Sequence, residues 1–233
     1  MDSARPILCI SDTQMPFEHP KALEFCTYLK RYYKVPDENI IHVGDEADIF
    51  HGSSFDKDPD VPMSPVHEIA ITREKFKQWG AKFPLMKLAI SNHGLRWVRK
   101  ATGAQIPSQV IRSYQEIFDA PKGWQWREEW RFIQLKHPFR VIHGMGYSGM
   151  MGHRNAVVDS GISTVIGHLH SYAGVNHIKM NGAEKMLWGM NVGCLIQEDA
   201  VAFKYGKYSR PKACLGAGVV LNSGTTPVWI PLD

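Results

Sequence analysis

The sequence predicts an α/β fold whose strands are parallel in the first half of the chain and mixed in the second. Apolar runs and helical patterns alternate as far as residue 90, an order that favours parallel strands joined by right-handed crossovers. Beyond residue 120 strand patterns dominate, and Asn181-Gly182 marks a hairpin turn. Because 233 residues can bury a large core, we expect a single domain over residues 1–233, with a mixed sheet or two packed sheets and helices outside.

The first half contains three predicted strands and two predicted helices. Short apolar runs bounded by polar residues indicate buried strands at 6–11, 39–43 and 85–90. Leu23, Cys26 and Leu29 recur at helical spacing within a helix predicted over 20–33. Pro65 suits the first turn of a second helix, which we expect to reach Trp79 and to end at Gly80. The segment 52–64 between them is rich in proline and aspartate and predicts a loop.

The second half contains the remaining strands. Trp124, Trp126 and Trp130 alternate with polar residues and predict one half-buried strand over 124–132, with the tryptophans packed on a common face. The basic residues beside them leave open a stacking platform for single-stranded nucleic acid. A helix is expected near 152–159. The other strands are expected at 139–143, 163–168, 173–180, 184–190, 200–204, 217–221 and 227–232.

Net charge, cysteine spacing and the distribution of apolar residues limit the kind of protein that this sequence can encode. The 27 Lys and Arg residues against 23 Asp and Glu give a net charge of +4, which is compatible with an anionic substrate. The four cysteines are far apart in sequence, which favours free thiols in a reducing compartment. A signal-peptide pattern is missing, and so is an apolar run of about 18 residues, so we expect no membrane span and a cytoplasmic location.

Polar residues of metal-ligand type follow five of the predicted strands, each at the carboxyl end of its strand. We expect them to converge, because ligands bind in open α/β sheets at the carboxyl ends of the strands. Carboxylate, amide and imidazole together suit divalent cations, and a pair of cations about 3.5–4 Å apart suits phosphoryl displacement. The residues concerned are Asp12, Gln14, Asp45, Asp48, Asn92, His93, His143, His168 and His170.

In their order along the chain these motifs resemble those of the calcineurin-like metallophosphoesterases. The family pattern is D-x-H, G-D-x-x-D, G-N-H-[DE], a lone H and G-H-x-H. The chain reads Asp12-Thr13-Gln14, Gly44-Asp45-Glu46-Ala47-Asp48, Ser91-Asn92-His93-Gly94, His143 and Gly167-His168-Leu169-His170, followed by Asn191-Val192-Gly193-Cys194. The resemblance spans residues 7–195 and implies a four-layer α-β-β-α sandwich with two mixed sheets.

The resemblance also implies a site for two divalent metals. The first metal would take Asp12, Gln14, Asp45 and His170. The second would take Asp45, Asn92, His143 and His168, with Asp45 as the bridge. A hydroxide held between the metals would attack phosphorus, and His93, oriented by Asp48, would protonate the leaving oxygen. Arg96 would contact a phosphate oxygen, because guanidinium forks fit phosphate, and its alternative is an exposed residue that opens a helix.

The chain departs from the family pattern at three places. Gln14 replaces the usual histidine, and its amide oxygen is a weaker ligand that can still bind a cation. Ser91 and Gly94 replace residues that are not ligands. Ile49-Phe50 follow Asp48 where Ser/Thr phosphoprotein phosphatases have Arg-Gly, which argues against that branch. The run from Asn92 to Arg96 and the loop 54–59 are most similar to small phosphoesterases of bacteriophage genomes, for which the host cytoplasm is the expected location.

The resemblance implies a metal-dependent phosphoric ester hydrolase that acts on diesters and is either a nuclease or a small-nucleotide phosphodiesterase. Phosphomonoesterase or protein phosphatase activity is the alternative within this class, and a non-catalytic scaffold of the same fold is the alternative outside it. Manganese is the first expectation for the metals, and iron, zinc, nickel and magnesium are also compatible. The expected partner is a phosphate-ester substrate, such as a nucleic acid or a nucleotide. The sequence leaves the substrate and the oligomeric state open.

Overall fold

The computed structural model describes residues 5–54, 63–182, 184–199 and 212–232, and it confirms the α/β class with two mixed sheets. The helices are α1 (Ala22–Tyr32), α2 (Pro65–Lys82), α3 (Arg96–Gly103), α4 (Tyr114–Ile117) and α5 (Gly152–Ser160). The strands are β1 (Ile7–Ile10), β2 (Ile40–His42), β3 (Met86–Ala89), β4 (Trp124–Arg127), β5 (Trp130–Phe132), β6 (Phe139–Val141), β7 (Ser163–Ile166), β8 (Gly174–Ile178), β9 (Leu187–Asn191), β10 (Gly216–Leu221) and β11 (Thr226–Pro231).

Both sheets are mixed, with antiparallel pairs at both edges of the five-stranded sheet but at only one edge of the six-stranded sheet. The six-stranded sheet has the order β11-β10-β1-β2-β3-β4, in which β1 to β4 are parallel and β10 and β11 are antiparallel. The five-stranded sheet has the order β5-β6-β7-β9-β8, in which β6, β7 and β9 are parallel. The carboxyl ends of the parallel strands therefore lie together at one edge of each sheet, where ligand sites form in α/β proteins.

Apolar side chains pack on both faces of the six-stranded sheet. Side chains of successive strand residues point to opposite faces, so Cys9 and Ile41 pack towards the second sheet whereas Leu8 and Ile40 pack towards α1 and α2. The five-stranded sheet contributes Val141 and other residues to the core between the sheets. Helix α5 lies against β9 and β7 on the far side. The parallel strands are thus covered on both faces, as parallel sheets require.

The strand expected over 124–132 is wrong, because this segment forms two strands in different sheets. Residues Trp124–Arg127 extend the first sheet beside β3, and Trp130–Phe132 pair with β6 in the second. Trp124 packs with the helix-side core and Trp130 packs between the sheets. Their indole N–H groups donate to backbone carbonyls at 2.9 Å. The tryptophans therefore do not share a face, and Trp124 and Trp130 are buried core residues rather than a stacking platform.

Two helix predictions also need correction. Helix α2 continues through Gly80 to Lys82. A Cβ at Gly80 would lie 2.4 Å from Cγ of Pro121, so this glycine allows close packing rather than ending the helix. Helices α3 and α4 were not expected as such, although α3 does begin at Arg96.

The hairpin around Asn181-Gly182 is confirmed, because β8 and β9 pair antiparallel. The predicted strand 200–204 and most of the loop 54–59 lie outside the described residues. Among the helices that are described, none combines the length and the apolar character needed to cross a bilayer.

Candidate metal centre

The loops that follow β1 and β2 are joined by backbone hydrogen bonds. The N–H of Asp12 donates to the carbonyl of Gly44 at 3.0 Å, and the N–H of Gln14 donates to the carbonyl of Asp45 at 2.9 Å. The backbone N–H of His168, after β7, donates to Oδ2 of Asp12 at 3.0 Å. Hydrogen bonding therefore brings together three of the strand ends at which the sequence predicts metal ligands.

Four of the predicted ligands have a left-handed backbone conformation. The φ angles are 49° at Asp12, 46° at Gln14, 53° at Asp45 and 66° at His168. Non-glycine residues seldom adopt this region, and each such residue costs about 1–3 kcal/mol. Strain of this kind clusters at functional sites, so its concentration here is an independent signal of function.

Two glycines allow the loops to approach each other closely. A Cβ at Gly44, whose φ is +110°, would lie 2.6 Å from Nδ1 of His143. A Cβ at Gly167 would lie 1.9 Å from Oγ of Ser11 and 2.5 Å from Oδ2 of Asp12. Glycine is therefore required at both positions if Asp12 and His143 are to keep their places.

The first group of predicted ligands consists of Asp12, Gln14 and His170. Nε2 of His170 lies 2.9 Å from Oδ1 of Asp12 and 3.1 Å from Nε2 of Gln14. The Oε1 atom of Gln14 is buried and has no hydrogen-bond partner in the structure. A buried acceptor normally has a partner, so an unpaired amide oxygen beside a carboxylate and an imidazole suits a cation ligand.

The second group consists of Asp45, Asn92, His143 and His168. The donor atoms of Asp45, His143 and His168 all lie within 4.8 Å of one another. Nδ1 of His143 donates to the carbonyl of Val43 at 3.0 Å, which directs Nε2 towards Oδ1 of Asn92 at 2.8 Å and Oδ2 of Asp45 at 3.2 Å. An imidazole nitrogen that faces two oxygens can be satisfied by a cation bound between them.

Charge interactions within each group, and with the neighbouring His93, shift the pKa values of the predicted ligands. Burial raises the pKa of Asp45, but the imidazoles of His143 and His93 outweigh burial and lower it well below its usual range. The pKa of His143 rises to about 9 in spite of burial, because Asp45 stabilises the imidazolium. The pKa of Asp12 is likewise lowered by His170. The carboxylates are thus ionised at neutral pH, and a bound cation would replace the protons of the imidazoles.

His93, Asp48 and Arg96 form a connected unit beside these ligands. The N–H of His93 donates to Oδ1 of Asp45 at 3.0 Å, and its Nδ1 lies 3.0 Å from Oδ1 of Asp48, although not aligned as a hydrogen bond. Arg96 donates from Nη2 to Nε2 of His93 at 2.7 Å and from Nη1 to the carbonyl of Asp48 at 2.6 Å. Arg96 is the first residue of α3, as the alternative prediction has it, but its side chain is half-buried and not exposed.

Glu68 was missed in the sequence. This residue of α2 is only 2% exposed, and its carboxylate accepts hydrogen bonds from the backbone N–H groups of Phe50 at 2.5 Å and His51 at 3.2 Å. These donors begin the short 3₁₀ helix that follows Asp48. Burial, the largest effect, raises the pKa of Glu68 to about 7. A lone glutamate in a helical pattern carries no signal of this contact.

Asn191 is fully buried at the end of β9, and the sequence singled it out only as part of a motif. Its Nδ2 donates to the carbonyls of Leu169 at 3.0 Å and Tyr172 at 2.5 Å, and its Oδ1 accepts from the N–H of Gly193 at 3.1 Å. The Asn191 amide therefore fixes the loop that carries His168 and His170.

Four of the predicted ligands, at least one from each group, line a cavity of about 430 Å³. This volume falls within the range of small-molecule sites. The described residues that line it are Asp45, Asn92, His93, Arg96, His168, Leu169, His170, Ser171 and Tyr172. The cavity thus joins predicted metal ligands to His93 and Arg96.

Comparisons with known proteins add no family assignment, because neither a family model nor a curated protein matches the chain.

Proposed function

We propose that this protein is a metal-dependent hydrolase of phosphate esters, with phosphodiesters as its substrates and two divalent cations as its cofactors. One observation carries the proposal: oxygen and nitrogen donors from five strand ends converge beside one cavity, and four of these residues have a strained left-handed backbone. Packing of helices on the outer faces of both sheets also supports the four-layer metallophosphoesterase fold that the motifs resemble.

The donor set fits a pair of cations. Asp12, Gln14, Asp45 and His170 would hold one, and Asp45, Asn92, His143 and His168 the other, with Asp45 shared. The unpaired Oε1 of Gln14 and the position of Nε2 of His143 between two oxygens support this assignment. When bound, the cations would polarise the phosphate and lower the pKa of a water from 15.7 to roughly 7. The mixture of oxygen and imidazole donors suits Mn²⁺ first, and Fe, Zn, Ni or Mg ions are compatible.

His93 is the proposed general acid. Its backbone N–H is held by Asp45, and Asp48 faces its Nδ1, so Nε2 is the atom left to give a proton to the leaving oxygen. Arg96 contacts that same Nε2 in the free protein. A substrate phosphate would compete for the guanidinium, because its oxygens are charged acceptors and imidazole is neutral. Arg96 would then bind the phosphate, and the released Nε2 would take up a proton from water before giving it to the leaving oxygen.

The cavity favours diesters over monoesters. Among the described residues that line it, Arg96 has the only permanent positive charge. The proposed cations would add charge of their own, and beyond them these residues supply one guanidinium, which is enough for the single negative charge of a diester. The volume of about 430 Å³ also leaves room for an organic group on each side of the phosphate.

Hydrolysis of bis(p-nitrophenyl) phosphate and p-nitrophenyl phosphate, with Mn²⁺ and with EDTA, tests the proposal. We expect turnover that requires Mn²⁺, with the diester as the better substrate. Asp45→Asn should abolish turnover and metal binding, whereas Asp159→Asn, the same change at an exposed position of α5, should alter neither. Failure of the Mn²⁺-loaded protein to hydrolyse either ester would overturn the proposal, and metal binding without turnover would favour a scaffold.

A further inference from the structure

One wall of the cavity differs chemically from the rest. Among the residues that line it, Asp45, Asn92, His93 and Arg96 carry the groups that would hold cations and phosphate. Leu169, Ser171 and Tyr172 belong to a single loop and offer an apolar chain, a hydroxyl and an aromatic ring. We call these three residues the neutral wall. All three are half-buried, so each is accessible from the cavity.

The neutral wall lies in a loop whose backbone is held in place by hydrogen bonds. It belongs to the same loop as His168 and His170. The Asn191 amide binds the carbonyls of Leu169 and Tyr172, and the N–H of Cys214 donates to the carbonyl of His170 at 2.7 Å. Leu169 packs closely against Gly152: a Cβ added to Gly152 would lie 2.4 Å from Cδ1 of Leu169. The loop backbone is therefore fixed by contacts that do not involve the side chain of Tyr172.

We infer that the neutral wall binds the nucleoside part of a nucleotide ester, with a nucleobase stacked on Tyr172. This inference rests on the proposed function, since the other groups that line the cavity would hold the cations and the phosphate. An aromatic ring provides a stacking surface for any base, Leu169 adds apolar contact, and the hydroxyl of Ser171 can pair with a polar edge of the base or sugar. A purely alkyl group would offer the Ser171 hydroxyl no hydrogen-bond partner, whereas a base or sugar would, and this favours a nucleoside.

Calorimetry of the Mn²⁺-loaded protein with thymidine 5′-monophosphate, methyl phosphate and n-hexyl phosphate tests the inference. We expect the nucleotide to bind at least about tenfold more tightly than methyl phosphate, because one stacked base contributes about 1–3 kcal/mol. Tyr172→Ala should remove most of this difference and leave methyl phosphate binding unchanged. Tyr172→Phe should retain it, because the ring remains. Tyr28→Ala, at an exposed tyrosine of α1, is the matched control and should behave as wild type.

The outcomes separate this inference from the proposed function. Equal affinity for thymidine 5′-monophosphate and methyl phosphate, or an unchanged preference in Tyr172→Ala, would overturn the inference alone. Hexyl phosphate that binds as tightly as the nucleotide would also overturn it, because the wall would then select apolar surface rather than a base. If none of the three monoesters bound to the metal-loaded protein, the inference would fail, and hydrolysis of bis(p-nitrophenyl) phosphate would still decide the proposed function.

Discussion

Nδ1 of His143 donates a hydrogen bond to the backbone carbonyl of Val43 at 3.0 Å, and this bond joins the two sheets. Val43 follows β2 of the first sheet and His143 follows β6 of the second. A carbonyl can only accept, so the proton of the neutral imidazole is held on Nδ1 and Nε2 is left for a ligand. Packing between the sheets thus selects the tautomer that the proposed metal centre needs.

The His143→Asn variant should lose one of the two metals. The shorter amide cannot keep the Val43 contact and also reach the position of Nε2. Mutation of a residue that only hydrogen-bonds to a metal ligand typically lowers metal affinity about 10–100-fold. His143 is itself a proposed ligand, so we expect Mn²⁺ affinity at this position to fall by more than that. Titration with Mn²⁺ and metal analysis of the dialysed protein would measure the loss. The exposed His177→Asn variant is the control, and unchanged binding of two Mn²⁺ ions by His143→Asn would contradict the assignment.

The Gly167→Ala variant should disturb the first metal position through Asp12. The new methyl would overlap Oγ of Ser11 and Oδ2 of Asp12. That Oδ2 accepts from both Ser11 Oγ and the N–H of His168, so a shift of Asp12 would weaken both contacts. We expect a loss of about 1–3 kcal/mol in the free energy of unfolding, together with weaker Mn²⁺ binding. Urea denaturation and metal titration would test both. Gly103→Ala, where nothing lies within 4 Å, should be close to neutral.

The strand-end residues were predictable because their positions follow from local pattern and sheet geometry together. Apolar runs identify β1, β2 and β3, and parallel strands place their carboxyl ends at one edge. The break within 124–132 was not predictable in this way. The alternation of apolar and polar residues continues through the point where the chain changes sheets, so periodicity alone does not reveal the change of partner.

Residues whose roles depend on distant partners were the ones missed. Glycine is common at helix ends, which is why a helix end is predicted at Gly80. In the structure Gly80 packs against Pro121, which is 41 residues away and cannot be identified from the local sequence. Glu68 and Asn191 bind backbone groups of loops 18 and 22 residues away, which helix and strand periodicity do not reveal, and the sequence singled out Asn191 only as part of a motif. The general reason is that sequence periodicity reports which face of an element is buried, whereas hydrogen bonds between loops depend on the completed topology.

The Glu68→Gln variant should change how stability depends on pH. The pKa of Glu68 is raised by burial and by the charge of Asp48 to about 7 from its ordinary 4.5, although Arg96 and the N–H groups of Phe50 and His51 oppose the shift. The folded protein therefore binds more protons at this carboxyl than the unfolded chain between these two values. This contribution is fully present below pH 4.5 and is lost as pH rises through 7.

Urea denaturation from pH 5 to pH 8, at one fixed Mn²⁺ concentration, would measure this effect. The free energy of unfolding of wild type relative to Glu68→Gln should fall as pH rises, because glutamine does not titrate. Glu74→Gln, at an exposed position on the same helix, should give the wild-type pH dependence. A constant difference between wild type and Glu68→Gln across this range would show that Glu68 does not titrate in the folded protein here.

Arg96 and His93 should act as one catalytic unit rather than as independent residues. The guanidinium spans Nε2 of His93 and the carbonyl of Asp48, and a lysine ammonium cannot make both contacts with the same geometry. Arg96→Lys should keep both metals and lower kcat/KM for bis(p-nitrophenyl) phosphate about 10–100-fold, which is the worth of a hydrogen bond to a charged group. His93→Ala should lower it by about 100-fold or more.

The double variant separates a shared role from two separate ones. If Arg96 also works by controlling Nε2 of His93, part of its contribution disappears with the imidazole, and the double variant should lose less than the product of the two single losses. Arg99→Lys, one turn along α3 and exposed, is the matched control and should match wild type. Losses that simply multiplied in the double variant would mean that Arg96 binds the phosphate without acting through His93, and the proposed release of Nε2 by substrate would be wrong.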